Sequence, residues 1–183
     1  MVPADDTQPD YARLVRTVPG FPVPGVLFRD VTPLMADGPG FAAALAALAT
    51  LAAPLQPERI AGIEARGFIF GAALAAQMGL GFSPIRKPGK LPVPTISCDY
   101  ALEYRIGRLE LDPTVVPQDA RVVVVDDLLA TGGTAQAAAH LLREAGAVVS
   151  DALFAVDLPD LGGAALLGAQ GIRVQSLMSF AGH

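Results

Sequence analysis

The chain has 183 residues, of which 52% are hydrophobic and 17% are charged, and its formal net charge at pH 7 is -5. At about 100–200 residues per domain, this length predicts a single domain over residues 1–183, and the apolar content excludes a globally disordered chain. The acidic balance excludes the general cationic field with which proteins bind a nucleic-acid backbone, so any anionic ligand requires a local cluster of cations.

Two long charge-free stretches are predicted to be buried helices and not membrane spans. Phe41–Gln56 is shorter than the roughly 20 residues that a spanning helix needs, and Gly67–Ile85 is interrupted by glycine and proline. The acidic N-terminus lacks the pattern of a secretory signal. Cys98 is the only cysteine, so no intrachain disulfide can form. We therefore expect a cytoplasmic protein.

The N-terminal part of the chain is predicted to contain a helix, a shaped loop and a short strand. Apolar residues at helical spacing predict a helix over Tyr11–Val18, which the prolines and glycines of Pro19–Gly25 end. Val26–Arg29 is predicted to be a strand, and Phe41–Ala53 a helix that Pro54 closes.

The rest of the chain alternates between strands and helices. Five apolar runs predict buried strands: Ile60–Ile63, Phe82–Ile85, Val122–Val125, Val148–Val156 and Ile172–Leu177. Helical spacing recurs over Phe68–Met78, Thr134–Ala145 and Leu161–Ala169. This alternation predicts an α/β fold, with a parallel β-sheet flanked by helices. Lys87–Asp112 has strand-like stretches and no helix, so it predicts a small antiparallel flap.

The segment Val122–Thr134 joins a buried strand to two carboxylates and the start of a helix. Asp126 and Asp127 follow the valines, where carboxylates are costly to bury without hydroxyl or cationic partners. Thr131–Thr134 supplies hydroxyls and unhindered N–H groups at a helix N-terminus, an arrangement that holds a phosphate monoester. This order favours a ribose 5-phosphate ligand. No P-loop or GxGxxG motif is present.

Two further loops carry cations. Glu64–Gly67 follows a predicted strand and precedes a predicted helix, so its N–H groups and the Arg66 side chain can bind an anion. Arg86–Lys90 places three cations within five residues on a loop with proline and glycine. Such a cluster suits a diphosphate that is bound before a reaction and released after it.

Val122–Thr134 resembles the phosphoribosyl-diphosphate signature of the type I phosphoribosyltransferase family, and four further segments are similar to its adenine-specific members. These segments are Phe21–Asp30, Gly62–Phe68, Ile85–Pro92 and Tyr100–Tyr104. The resemblance covers roughly Tyr11 to Leu177. It implies the fold of that family, with an N-terminal hood at about residues 1–35 and a flap at about residues 87–112. One departure is Arg105, where the family usually has glycine.

The resemblance also implies an activity. The expected reaction transfers the 5-phosphoribosyl group from phosphoribosyl diphosphate to N9 of adenine, which gives AMP and diphosphate and serves purine salvage. The implied cofactor is Mg²⁺, held mainly by oxygen atoms of the substrate, with no direct protein ligand assigned. The implied assembly is a homodimer, and the other expected partners are the two small-molecule substrates.

The resemblance assigns roles to individual residues. Glu103 is the expected catalytic acid/base group, and Tyr104 of the flap helps to close the pocket. The expected ribose and 5-phosphate ligands are Asp126, Asp127, Ala130, Thr131, Gly132, Gly133 and Thr134. The expected diphosphate ligands are Glu64, Ala65 and Arg66, on a loop that carries a non-proline cis peptide in the family, and Arg86, Lys87 and Lys90 on the second cationic loop. The expected adenine contacts are the backbone of Leu27, the side chain of Arg29 and Ala130.

Backbone groups in the hood suit the recognition of adenine. Adenine offers an amino donor beside a ring acceptor, which a peptide C=O and N–H match, whereas a 6-oxo purine mismatches them. Two alternatives stay open. One is a regulator that senses phosphoribosyl diphosphate without catalysis, and the other is an enzyme of this family that uses hypoxanthine, guanine, xanthine or orotate.

Overall fold

The structure is a computed structural model that describes residues 10–102 and 105–182 of the chain. The strands within these residues are β1 Arg16–Pro19, β2 Leu27–Asp30, β3 Arg59–Ile63, β4 Gly81–Ile85, β5 Ile96–Leu102, β6 Arg105–Leu111, β7 Arg121–Leu129, β8 Val148–Asp157 and β9 Arg173–Ser179. The helices are α1 Thr32–Ala36, α2 Gly38–Ala52, α3 Arg66–Met78, α4 Gly133–Glu144 and α5 Gly163–Ala169. Short 3-10 turns cover Asp10–Leu14, Ala53–Leu55, Pro113–Val115 and Pro159–Leu161.

The predicted parallel sheet is confirmed. Its strands lie in the order β4-β3-β7-β8-β9, and every neighbouring pair is parallel. The central strand β7 owes its position to Val122–Val125, which are at most 3% exposed because helices cover both faces of the sheet. Helices α2 and α3 pack on one face, and α4 and α5 pack on the other. All five carboxyl ends therefore meet at one edge of the sheet, where ligands of such folds bind.

The prediction of a helix over Tyr11–Val18 is wrong. The chain makes one 3-10 turn at Asp10–Leu14, and then strand β1 pairs antiparallel with β2. The helical spacing arose because Ala12 and Val15 are buried against the core, while Val18 belongs to the ribbon and pairs with Phe28. The β1-β2 ribbon forms the N-terminal hood.

Helix α2 starts earlier than predicted and is less buried. The Asp37 side chain caps it by accepting a 2.7 Å hydrogen bond from Gly40 N–H. Gly38–Leu55 is long and apolar enough, by length and composition alone, to cross a membrane, yet only 17% of it is buried. The prediction of a buried helix is therefore wrong for most of this stretch. A single stripe, Ala44, Leu48 and Ala52, packs fully into the core.

The predicted antiparallel flap is confirmed as the β5-β6 hairpin, which lies within Lys87–Asp112. Register runs from the pair of Ile96 and Leu111 to the pair of Leu102 and Arg105. The base of the hairpin is tied to the end of β4, because Arg86 and Glu110 exchange backbone hydrogen bonds of 2.9 and 2.7 Å. The flap thus rises beside the carboxyl edge of the sheet.

Candidate active site

The two carboxylates of the Val122–Thr134 segment lie inside strand β7, which extends to Leu129 and not only to Val125 as predicted. Asp126 Oδ1 accepts a 2.9 Å hydrogen bond from Asp127 N–H. Burial, and then the neighbouring charge of Asp127, raise the pKa of Asp126 well above its usual range. A partly buried carboxyl with a raised pKa at the carboxyl edge is typical of a functional site.

The loop after β7 turns sharply into helix α4, and its geometry requires glycine. Gly132 has a φ of +85°, and a Cβ there would lie 2.9 Å from the Gly163 carbonyl oxygen. This left-handed residue is the N-cap of α4, so the first N–H groups of that helix open toward the loop. The predicted phosphate cradle, with Thr131 and Thr134 beside it, thus lies at a helix N-terminus, and its ligand stays a prediction.

The loop after β3 approaches the same place. The Glu64–Ala65 peptide bond is cis, as the resemblance led us to expect. Helix α3 follows at Arg66, and its second residue, Gly67, packs directly on the end of β7. A Cβ at Gly67 would lie 2.6 Å from Asp126 Oδ1 and 2.9 Å from the Val125 carbonyl oxygen. The two loops are therefore held side by side by backbone packing.

Arg66 connects three parts of the site. Its Nε donates to Asp127 Oδ2, and its guanidinium lies 6.0 Å from the centre of the Phe28 ring in the hood. Burial lowers the pKa of Arg66, but the attraction of Asp127 outweighs it, so the pKa lies above the usual value. The Asp127 side chain is 5% exposed and that of Arg66 is 48% exposed, so the cation remains accessible from the solvent side.

Glu64 organises the cationic loop Arg86–Lys90. Its Oε2 accepts hydrogen bonds from Lys87 N–H at 3.0 Å and from Arg86 Nε at 3.3 Å. The Lys87 hydrogen bond is the main reason that the pKa of Glu64 is lowered, and Arg86 adds to the effect. Arg86 Nη1 also donates to the Lys90 carbonyl at 3.0 Å. The Glu64 carboxylate is thus engaged with this loop, and its predicted contact with diphosphate stays a prediction.

The backbone of Leu27 faces away from its partner strand. Gly20 N–H donates to the Val26 carbonyl at 2.8 Å, so the pair of Gly20 and Val26 is a hydrogen-bonded pair of the β1-β2 ladder. Such pairs alternate along an antiparallel ladder, so the next pair, Pro19 with Leu27, is a non-hydrogen-bonded one. Proline fits there because it has no N–H. The N–H and C=O of Leu27 therefore point outward, as a base-reading role requires.

Arg29 is fixed by contacts on several sides. Its Nη1 donates to Thr17 Oγ1, its Nη2 donates to the Ala181 carbonyl at 2.8 Å, and its guanidinium lies 5.0 Å from the centre of the Phe180 ring. Burial lowers the pKa of Arg29. Its Nε is buried and has no hydrogen-bond partner within residues 10–102 and 105–182.

A cavity of about 570 Å³ brings most of the predicted residues together. The predicted residues that line it are Glu64, Ala65, Arg66, Lys87, Asp126, Asp127, Ala130, Thr131, Gly132 and Thr134. Gly133 lines a neighbouring cavity of about 550 Å³ instead. Leu27, Arg29, Arg86 and Lys90 are not among the described residues that line either cavity. The hood reaches the larger cavity through Pro22.

Glu103 and Tyr104 lie outside the described residues, so their predicted roles stay predictions. The flap instead contributes Tyr100, which lines the cavity and was not assigned a role from the sequence. Its ring lies across Gly107 on β6, where a Cβ would come within 2.5 Å of the ring. Tyr100 opens the segment that resembles the family, and that position was the available signal.

The arrangement suits one type of ligand. Carboxylates at the end of β7 can accept hydrogen bonds from hydroxyl groups, and the N-terminus of α4 offers N–H donors to an anion. Arg66 and Lys87 add positive charge to the lining of the same cavity. A molecule that carries adjacent hydroxyls between two anionic groups would meet complementary chemistry along its length.

Comparison with known proteins agrees with this geometry. A family profile described as "Phosphoribosyl transferase domain" matches residues 38–156. The adenine phosphoribosyltransferase of Novosphingobium aromaticivorans is 61% identical over 97% of this chain and 99% of its own length. That of Erythrobacter litoralis is 59% identical, with the same two coverages.

Solved structures show the same fold. The adenine phosphoribosyltransferase of Thermoanaerobacter pseudethanolicus has a TM-score of 0.89 and 42% identity, covering 93% of this chain and 98% of its own. The Saccharomyces cerevisiae enzyme, solved with D-2,5-dideoxy-2,5-imino-altritol 1,6-bisphosphate and adenine, has a TM-score of 0.86 and 32% identity, covering 91% of this chain and 98% of its own. The chain therefore belongs to the adenine phosphoribosyltransferase family of pentosyltransferases.

Proposed function

We propose that this protein transfers the 5-phosphoribosyl group of phosphoribosyl diphosphate to N9 of adenine, with Mg²⁺, and so releases AMP and diphosphate in purine salvage. The observation that carries this proposal is the single cavity in which the β7 carboxylates, the N-terminus of α4 and the cations Arg66 and Lys87 meet. Relatives of the same family support it, since the yeast enzyme was solved with adenine and a bisphosphate bearing an imino sugar.

The β7 carboxylates are assigned to the sugar. Asp126 and Asp127 accept hydrogen bonds from the ribose hydroxyls and stabilise the positive charge that develops on the sugar as diphosphate leaves. The N–H groups and hydroxyls of Thr131–Thr134 hold the 5-phosphate, so the sugar is fixed at both ends. This fixation places C1 of the ribose in line with the base, which is the main service that positioning offers to a group transfer.

The cations are assigned to the leaving group. Arg66 and Lys87 neutralise the diphosphate, with Arg86 and Lys90 on the adjoining loop. Glu64 keeps this loop in place through Arg86 and the backbone of Lys87. The Ala65 peptide lies in the loop after β3, next to Arg66, and offers its backbone to the anion. A loop that is held by one carboxylate can bind and then release diphosphate without unfolding the sheet edge.

The carboxyl edge of β7 also fits Mg²⁺. The ion usually keeps several waters and takes only one or two protein carboxylates together with substrate phosphates. Asp126 and Asp127 line this cavity and would hold the ion, directly or through water. When bound, the ion supplies charge neutralisation on the diphosphate and ribose oxygens. Activity that survives removal of divalent cations by a chelator would contradict this assignment.

The base is assigned to the hood and the flap. The outward C=O and N–H of Leu27 pair with the amino group and ring nitrogen of adenine, Arg29 frames the base, and Ala130 gives an apolar contact. Glu103 manages the proton on the purine nitrogens. Glu103→Gln is expected to lower turnover by at least tenfold. A loss within about threefold, which corresponds to less than about 1 kcal/mol, would exclude the acid/base role.

The proposal includes a homodimer in the cytoplasm. The assembly follows from the family resemblance, and the single cysteine, Cys98, fits a reducing compartment. The mass in solution, measured by light scattering, tests the dimer.

The deciding experiment is product formation by the purified protein with phosphoribosyl diphosphate and Mg²⁺. Adenine, hypoxanthine, guanine, xanthine and orotate are offered separately, and products are separated by chromatography. AMP from adenine alone is the expected result. Turnover of a different base would overturn the role of the hood while leaving the phosphoribosyl site. Binding of phosphoribosyl diphosphate without turnover of any base would favour a sensor.

A further inference from the structure

The C-terminal segment Phe180–Gly182 packs on one face of the hood strand β2. Leu27 and Arg29 lie on this face because side chains alternate along a strand, and Phe28 lies on the other. Arg29 contacts Phe180 and Ala181, as described above. On the same face, a Cβ at Gly182 would lie 3.5 Å from Leu27 Cδ1. The two residues assigned to the base thus share a neighbour from the far end of the chain.

This tail is itself anchored to the sheet edge. Phe180 N–H donates to the Asp157 carbonyl at 3.0 Å, at the end of β8. Gly182 N–H donates to Asp160 Oδ2 at 2.8 Å. The Phe180 ring also packs against the hydrophobic cluster on the face of the central sheet that α2 and α3 cover. The tail therefore transmits the position of the rigid sheet to the hood, a two-stranded ribbon that has little support of its own.

These contacts hold the Arg29 side chain in place, but they do not neutralise its positive charge. Its two terminal nitrogens bond a hydroxyl and a carbonyl, and a ring lies against its face, while no carboxylate forms an ion pair with it within the described part of the chain. A guanidinium normally samples many rotamers, and fixing it in advance saves that entropy on ligand binding. Its Nε remains a donor without a partner among the described residues.

We propose that Phe180 and Ala181 are positioning residues for base recognition, which hold the Arg29 side chain beside the outward backbone of Leu27 and so make the C-terminal segment part of the adenine site. This inference rests on the proposed function. The ring of Phe180 supplies a flat face for the guanidinium, and the carbonyl of Ala181 fixes its rotation. Loss of the ring frees the Arg29 side chain and weakens the binding of adenine, while the binding of phosphoribosyl diphosphate is unchanged.

The test is a double-mutant cycle between Phe180 and Arg29. Phe180→Leu keeps an apolar side chain but removes the ring face, and Phe180→Tyr keeps the ring. We expect Phe180→Leu to raise the KM for adenine about fivefold, the size of a partly buried cation–π contact, and to leave the KM for phosphoribosyl diphosphate unchanged. Phe180→Tyr should restore the wild-type KM for adenine. In an Arg29→Ala background, Phe180→Leu should have no further effect.

The outcomes separate this inference from the proposed function. An equal rise in the KM for adenine in both backgrounds would overturn the inference, since Phe180 would then act independently of Arg29. An equal rise in both KM values, or no change in either, would overturn it as well. A wild-type protein that forms no AMP from adenine would overturn the proposed function, and the inference with it. Thermal unfolding of each variant shows whether the fold is intact.

Discussion

Arg66 and Asp127 form a hydrogen-bonded ion pair, although the two are assigned to different parts of the same substrate, the diphosphate and the ribose. Arg66 Nε donates to Asp127 Oδ2, and the contact joins the loop after β3 to the end of β7. The pair neutralises a carboxylate that is 5% exposed and would otherwise be costly to bury. If the proposed roles hold, the ribose hydroxyls and Arg66 compete for the same Asp127 oxygen atoms, and diphosphate competes with Asp127 for the guanidinium.

Replacing Arg66 should affect two ligands in opposite directions. Arg66→Met removes the competitor for Asp127 and the cation for diphosphate at once. We expect ribose 5-phosphate, which carries no diphosphate, to bind several-fold more tightly, and phosphoribosyl diphosphate to bind at least tenfold more weakly. Isothermal titration calorimetry with each ligand measures both changes. If both ligands weaken by the same factor, the pair does not compete with the sugar.

Glu64 should affect diphosphate through the loop that it holds. Glu64→Gln keeps an oxygen for Lys87 N–H but removes the charge that attracts Arg86. Because charge-assisted hydrogen bonds are about twice as strong as neutral ones, the loop loosens. We expect the KM for phosphoribosyl diphosphate to rise about fivefold while the KM for adenine stays constant, as measured by steady-state kinetics.

The matched control for this variant is Glu58→Gln. Glu58 lies 3.4 Å from Arg121 in an exposed ion pair at the amino end of β7, away from the cavity. Exposed pairs of this kind contribute about 0–1 kcal/mol, and this one touches no residue of the site. Both KM values should be unchanged. A rise in the KM for adenine in Glu64→Gln would show that Glu64 acts on more than the cationic loop.

The sheet and the shape of the loop after β7 could be predicted because their signals are local. Four consecutive valines require a strand buried on both faces, and the following Asp126, Asp127 and Thr131–Thr134 place acceptors and donors at the end of that strand within nine residues. A parallel sheet then brings such ends to one edge whatever the details of the loops. Chemistry that lies within one strand-loop-helix unit can therefore be inferred from its spacing.

The hood could not be predicted in the same way. Strand β1 has the apolar spacing of a helix because it follows a 3-10 turn with buried Ala12 and Val15, and only its pairing with β2 makes it a strand. The hydrogen bond between Arg29 and Ala181 joins residues that are 152 positions apart, so no periodic pattern in the sequence predicts it. Long-range contacts of this kind can be identified only from the three-dimensional positions of both ends of the chain.

Gly132 should not tolerate a side chain. Gly132→Ala forces a Cβ to within 2.9 Å of the Gly163 carbonyl oxygen at a left-handed φ of +85°. We expect a loss of more than about 1 kcal/mol in the free energy of unfolding, because strain of this type costs about 1–3 kcal/mol. The affinity for ribose 5-phosphate should fall at least tenfold, since the N–H groups of α4 turn away. Urea unfolding and calorimetry measure the two effects.

The control glycine lies in helix α5. A Cβ at Gly168 would meet nothing within 4 Å, and its φ is not left-handed. Gly168→Ala should raise stability by about 0.5 kcal/mol, because alanine loses less backbone entropy in a helix. Its affinity for ribose 5-phosphate should equal that of the wild type. If Gly132→Ala also retains that affinity, the loop does not depend on this backbone shape.

Asp30 should make the free energy of unfolding depend on pH in the acid range. Its hydrogen bonds from Thr32, and then its pairing with Arg16, lower its pKa from 3.8 to about 2. A lowered folded-state pKa stabilises the protein above the unfolded value near pH 4, and this stabilisation is lost as the pH falls toward 2. We expect Asp30→Asn to lose about 1 kcal/mol of unfolding free energy at pH 7, the usual net value of one intramolecular hydrogen bond, and progressively less below pH 4. Urea unfolding from pH 7 to pH 2.5 measures the difference.

Thr32→Val removes the hydroxyl donor and should move the acid transition from its wild-type position upward toward pH 4. A difference between wild type and Asp30→Asn that is the same at every pH would show that the carboxylate charge does not contribute.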